Sequence, residues 1–239
     1  MGKKLIIWTF VFLLGVCLFS AVQAEDQKWC PLCSMNLKMF WKTTHWLTFS
    51  DGTRIGYCSI HCASKVYQEK AADIKGWEVA DYDTDKLINA YKAHFLIGSD
   101  LPGTMTPVSK LAFASLDVAK RYQKEHGGTL GTLDDALKRA IEGRGEDMAV
   151  IKKKKAETSE MGKKLAEKHG CYKCHGEGGT GGTAPAWNTS EFAKKMDSRV
   201  KIKQVILGGK NKMEGYQGKI NEKELHAITI YVWSQRPDK

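Results

Sequence analysis

The sequence lacks the side-chain arrangements on which hydrolysis and phosphoryl transfer are built. No Ser/His/Asp set, phosphate-cradling glycine loop or spaced carboxylate pair stands out along its 239 residues. The chain is therefore assigned no enzyme activity and reads as a carrier or accessory protein. No RNA- or DNA-binding motif accompanies its 37 lysines and arginines, so nucleic acid is not an expected partner despite a net charge of +10. Long apolar runs are also scarce. The longest, Leu5 to Phe19, is short for a bilayer crossing.

What is there begins with that run. Lys3 and Lys4 precede it and Val22-Gln23-Ala24 closes it, the pattern of an export signal over residues 1–24. The expected location is periplasmic or otherwise extracytoplasmic, with an uncleaved membrane anchor as the alternative. Leu14-Gly15-Val16-Cys17 approaches a lipidation site, but Val16 is bulkier than the residue such sites carry. The positive charge is concentrated late: Lys152 to Lys155 and the segment from Ala156 onward hold it, while Glu25 to Ile151 is close to neutral. A basic face of this kind suits an acidic redox partner or an anionic membrane surface, or serves only solubility.

Gly143 to Thr158, GRGEDMAVIKKKKAET, mixes glycine with a charge run and shows little periodicity. It is predicted to link a first domain, residues 25–142, to a second, residues 159–239. In the first domain HWLTFS and TRIGYCS flank Asp51-Gly52, a hairpin signal, and the helical pattern SIHCASKVYQEK leads to the strand-like WEVADY. The same order recurs in YKAHFLIG, KLAFAS, LDVAKRYQKEHG and GTLGTL. Aligning Ser59 with Ser115 superimposes the two copies, so the fold class expected is α+β, a duplicated β-β-α-β domain followed by an all-α domain.

The second domain carries Cys171-Tyr172-Lys173-Cys174-His175. Two thiols at this spacing add across the vinyl groups of one haem, and the adjacent imidazole reaches its iron. From Ala156 to the end, the helix with Gly162 and Leu165, the CYKCHG motif, Pro185, a loop methionine and a closing helix with Tyr231 resemble the class I cytochrome c family. The resemblance implies one covalent haem c, a His175 ring fixed by the Pro185 carbonyl, and Met213, in GGKNKMEGYQGK, as sixth ligand. Met161 and Met196 are the rival methionines, and both look helical. A His/Met iron has no open position, so one-electron transfer is expected.

The first domain carries a second Cys-x-x-Cys, Cys30 and Cys33, in which Ser34 stands where a haem motif has histidine. Cys58 and Cys62 follow at a strand-to-helix junction. Four thiols in two pairs can converge on one tetrahedral metal site. In an oxidising compartment they could instead close as disulfides, act as a redox dithiol, or pack as small buried groups, and these readings stay open here. Met35 and Met105 add thioethers, which favour copper(I) over zinc.

CPLCSM, DGTRIGYCS, VADYDTDKLINAYKAHFLIGSDL, MTPVSKLAFAS and GGTLGTLDDA are similar to the NosL family, copper-binding accessory proteins for assembly of nitrous oxide reductase. The resemblance implies two related β-β-α-β halves and a copper(I) held by Cys33, Met35 and Met105. The cysteine pairs also resemble TRASH-type metal sites. The Cys58-x3-Cys62 pair and the fused haem domain depart from the family pattern, leaving copper(I) or zinc on four cysteines as the other possibility. The expected function is copper delivery or metalloenzyme maturation coupled to electron transfer, with a redox protein and an apo-copper enzyme as partners. The alternative is an electron carrier with a zinc- or disulfide-stabilised docking domain.

Overall fold

A computed structural model describes residues 27–237. The expected export signal, with Cys17, lies outside the described residues. Among those described, no helix is long and apolar enough to cross a membrane.

The first domain is built as the repeat suggests. β1 (His45–Phe49) and β2 (Arg54–Tyr57) form an antiparallel hairpin. Gly52 takes the left-handed conformation its turn requires, at φ 83°. After α1 (Ile60–Lys70), β3 (Ile74–Ala80) returns to pair with β1, and the short β4 (Leu87–Asn89) extends the edge, for the order β2-β1-β3-β4. The second copy repeats the arrangement with β5 (His94–Ile97), β6 (Lys110–Phe113), α2 (Leu116–His126) and β7 (Thr129–Gly131), in the order β6-β5-β7. In both copies the first strand sits between the second and the third. Ser59 and Ser115 both occupy the N-cap before their helices, so the repeat alignment holds in three dimensions. β4 and α3 (Leu133–Glu142), which a Thr132/Asp135 capping box opens, lie outside the repeat.

Alternation along the strands explains the core. Leu47, Trp77, Val79 and Phe95 are almost fully buried between the sheet and α1 and α3. Each such side chain contributes about 1.5–3 kcal/mol through area removed from water. His45 lies among them with 1 % exposure, its Nδ1 accepting from Trp77 Nε1 at 2.8 Å. Burial drives its pKa down from 6.5 to about 3.

The segment read as a linker, residues 143–158, is helical from Arg144 onward. It belongs to α4 (Arg144–Lys168), a continuous helix of 25 residues that leads into the second domain. A lysine run hides apolar periodicity, but lysine, alanine and glutamate are good helix formers, and Glu146 and Asp147 sit favourably at the helix N-terminus. Both ends are also tied down, by Asp147 in the first domain and by Gly162 and Ala166 in the second, all buried.

The second domain continues with α5 (Tyr172–His175), α6 (Ser190–Lys195), α7 (Arg199–Gly208) and α8 (Glu222–Ser234). The expected apolar face of α8, Leu225, Ile228, Thr229 and Val232, is buried. α4 and α8 cross where Gly162 meets Ala227 and Tyr231. A Cβ at Gly162 would stand 2.0 Å from the Ala227 carbonyl oxygen.

Two outcomes follow for stability. Gly162→Ala forces backbone apart and should cost about 1–3 kcal/mol or more, read as a lowered melting temperature of the haem-loaded chain. A neutral result would mean that the two helices do not approach this closely. His45 stays uncharged in the fold while the unfolded chain takes up a proton near pH 6.5. Its contribution is therefore fully present above pH 6.5 and is lost as the pH falls toward 3. Urea midpoints should fall with pH across that window, and His45→Gln should flatten the slope; parallel slopes would remove His45 as the cause.

Candidate metal and haem sites

The Cys30–Cys33 turn is stapled by its own backbone. Cys30 N donates to the Met35 carbonyl at 2.9 Å, Ser34 N donates to the Cys30 carbonyl at 2.8 Å, and Trp29 bridges to Asn36. Ser34 takes the left-handed conformation, φ 62°, that closes the knuckle. Cys58 ends the hairpin and Cys62 lies in the first turn of α1, so hairpin and helix deliver the second pair to the same point. All four sulfurs lie within 4.8 Å of one another, and all four residues are buried. The cysteines are free, with Cys33 Sγ 3.3 Å from Cys58 Sγ and Cys58 Sγ 3.8 Å from Cys62 Sγ.

Electrostatics in this cluster are those of thiols sharing a charge. Hydrogen bonds from Cys33 first, then from Cys58 and Cys62, hold the Cys30 thiol far below the ordinary range. Contact with Cys30 foremost, then with Cys33, together with burial, pushes Cys58 and Cys62 up. One thiolate is stabilised at the expense of its neighbours, and further ionisation calls for a cation. Four thiolates in this arrangement suit zinc or copper(I).

Met35 and Met105 come together on a neighbouring cavity of about 250 Å³ that Cys33 also lines. Met105, like Ser34, has φ 62°, so both sulfur-bearing loops contain a left-handed non-glycine residue. The Met105 loop is anchored to the cysteine site. Thr43 Oγ1 donates to the Cys58 carbonyl at 2.8 Å and meets Thr104 Oγ1 at 2.9 Å. Thr106 donates to Asp147 Oδ1 at 2.8 Å, while Asp147 Oδ2 meets His61 Nδ1 at 3.2 Å. His61 is thereby turned away from the cysteines it separates in sequence.

In the second domain a cavity of about 500 Å³ is lined by Cys171, Cys174, His175 and Met213, with Ile202, Ile228 and Val232 among its apolar walls. Its donors fit a covalently held haem. His175 Nδ1 lies 2.9 Å from the Pro185 carbonyl, so that nitrogen carries the proton and Nε2 is left for iron. Met213 sits in a tight turn closed by hydrogen bonds in both directions with Lys210. Met196, expected to be helical, instead follows the last residue of α6, where the helix ends, and lines the same cavity. Met161 does not.

The domains are docked through residues that flank the cysteine turn. Trp29 packs in the core of the second domain and donates through Nε1 to Glu222 Oε1 at 3.1 Å. Glu222 Oε1 also takes Lys203 Nζ at 2.7 Å; that lysine is fully buried, with its ammonium 5.5 Å from the Trp29 ring centre. Burial pulls the Lys203 pKa down against the pull of Glu222, and Lys203 holds the Glu222 carboxyl below its usual range despite its own burial. Arg199 donates to the Leu32 carbonyl. None of this was marked by a motif. His226 on α8, a lone imidazole within an apolar helix, was visible in the sequence, but nothing local tied it to the first domain. It lines the cavity that holds Met35 and Met105. Burial first, then Lys203 and Arg199, lower its pKa to about 4.

With this geometry in view, sequence comparison is decisive for the first domain. The family model described as NosL matches residues 21–141, half of the chain. The chain belongs to the NosL family. A second model, described as cytochrome C oxidase, cbb3-type, subunit III, matches residues 157–232, so a NosL domain is fused to a cytochrome c domain. The HTH-type transcriptional repressor CutR of Bacillus subtilis (strain 168) is 29 % identical over 96 residues, covering 40 % of this chain and 50 % of that protein. The chain thus spans about half the length of the curated relative it matches. The crystal structure of the copper chaperone NosL from Shewanella denitrificans is 22 % identical with a TM-score of 0.39, covering 45 % of this chain and 88 % of that one.

Proposed function

We propose that the protein is an extracytoplasmic copper(I)-binding accessory protein whose own cytochrome domain exchanges single electrons beside the metal site, serving delivery of copper to an enzyme under assembly. The observation that carries the reading is the position of Cys33: its sulfur belongs to the buried four-thiol cluster, and the residue also lines the cavity that holds Met35 and Met105. Thiolate with thioether is a soft donor set that favours copper(I) and that zinc does not recruit.

A haem bound at Cys171 and Cys174 would supply one-electron transfer. The residues around it do the positioning: Pro185 fixes the His175 ring, Met213 closes the cavity from its loop, and Trp187 packs with its ring centre 5.0 Å from that of His175. α4 and the Trp29–Glu222–Lys203 contact set the separation of the two sites by packing. No flexible tether is needed to keep them close.

The four-thiol cluster supports a second reading, in which zinc holds the NosL domain together and the chain is an electron carrier. Anaerobic competition against a copper(I) chelator separates the two. The haem-loaded chain should bind copper(I) at least about a hundredfold more tightly, about 3 kcal/mol, than a variant with Cys30, Cys33, Cys58 and Cys62 all changed to Ser. Equal affinities together with tightly held zinc would establish the carrier reading. On the haem side, Met213→Ala should abolish the methionine-to-iron charge-transfer absorption of the oxidised protein and Met196→Leu should leave it intact; the reverse pattern would make Met196 the ligand.

A further inference from the structure

The cavity that holds Met35 and Met105 is not a property of the NosL domain alone. Cys33, Met35 and Met105 form one wall, α4 a second, and Arg199, His226 and Ile230 of the cytochrome domain a third. His226 lies on the flank of α8 that faces this seam, whereas Ile228 and Val232 of the same helix line the haem cavity. Neither ring nitrogen of His226 has a hydrogen-bond partner among the described residues, unlike His45, His61 and His175, whose rings are each held by one. A half-buried imidazole with free nitrogens, sharing a cavity with two thioethers and a thiol, is a donor with no structural task.

We propose that His226 is a ligand to copper(I) in this cavity together with Cys33, Met35 and Met105, so that the cargo site is complete only when the cytochrome domain is docked. The proposal rests on the reading of the cavity as a copper(I) site. Charge supports it. One thiolate and neutral partners around a monovalent cation give a complex with no net charge. Lys154, Lys155 and Arg199 also line the cavity and add positive charge of their own. Among the described residues the one carboxylate there, Asp147, has both oxygens engaged by His61 and Thr106. The soft donors therefore favour the reduced, monovalent ion, and the packing of α8 places His226 on the helix that also walls the haem cavity.

The test uses the full, haem-loaded chain under anaerobic conditions. Wild type, His226→Leu, His226→Gln and Cys33→Ser are titrated with copper(I) against a chelator, and copper X-ray absorption is recorded on each loaded sample. Wild type should show one imidazole scatterer beside the sulfurs. Both His226 variants should lose that signal and bind at least about tenfold more weakly with unchanged haem absorption, since even outer-shell changes at metal sites cost 10–100-fold. An all-sulfur spectrum for wild type, with affinity untouched in the His226 variants, would overturn the proposal while leaving the copper reading in place. Should wild type bind copper(I) no better than Cys33→Ser, the copper reading itself fails and this proposal with it. The wild-type spectrum decides the point even if a His226 variant does not fold.

Discussion

Four buried cysteine sulfurs held within 4.8 Å of one another are the constraint on which the NosL domain depends. Buried polar groups must be paired, and four thiols can offer one another only weak hydrogen bonds. The protein meets that cost by giving the cluster a rigid frame: a stapled knuckle for Cys30 and Cys33, a hairpin end for Cys58, a helix start for Cys62, and Thr43 and Asp147 binding these elements to the Met105 loop. A cation that replaces the thiol protons would convert a strained polar core into a satisfied one, so metal affinity and domain stability share one source.

The second dependence is the docking of the cytochrome domain. A fully buried lysine is tolerable only because Glu222 lies 2.7 Å away and the Trp29 ring covers it. Removing Glu222 would strand the Lys203 charge, so this contact fixes one arrangement of the domains more than it adds stability. Its sequence position matters: Trp29 immediately precedes Cys30, and Arg199 grips the Leu32 carbonyl between the two cysteines. The knuckle that presents the sulfurs is therefore held from behind by the domain that carries the haem motif, and α4 keeps the two in register.

Much of the local architecture was legible because its signals are short-range. Asp51-Gly52 announced the hairpin, the Ser59/Ser115 alignment announced the repeat, and Gly162 announced a close helix crossing. The spacing of Cys171, Cys174 and His175 announced the haem motif. Local pattern and tertiary context part company at two places. Lys152 to Lys155 marked a linker because they lack apolar periodicity, and helix-forming residues anchored at both ends make that segment part of α4. Met196 looked helical because a charged helix precedes it, yet α6 stops one residue earlier.

By itself the sequence determined the chemistry available: thiols at metal-ligand spacing, thioethers beside them, a haem-attachment motif, and a duplicated pattern of strands and helices, all set by residues near one another along the chain. Only the tertiary structure decided that the cysteine pairs form one buried cluster of free thiols, that Cys33 opens onto a cavity with Met35 and Met105, and that His226 completes its wall from another domain. Those are contacts between residues as much as 193 positions apart, such as Trp29 and Glu222. Such meetings are settled by how helices and sheets bury their apolar faces against each other, which no local spacing records.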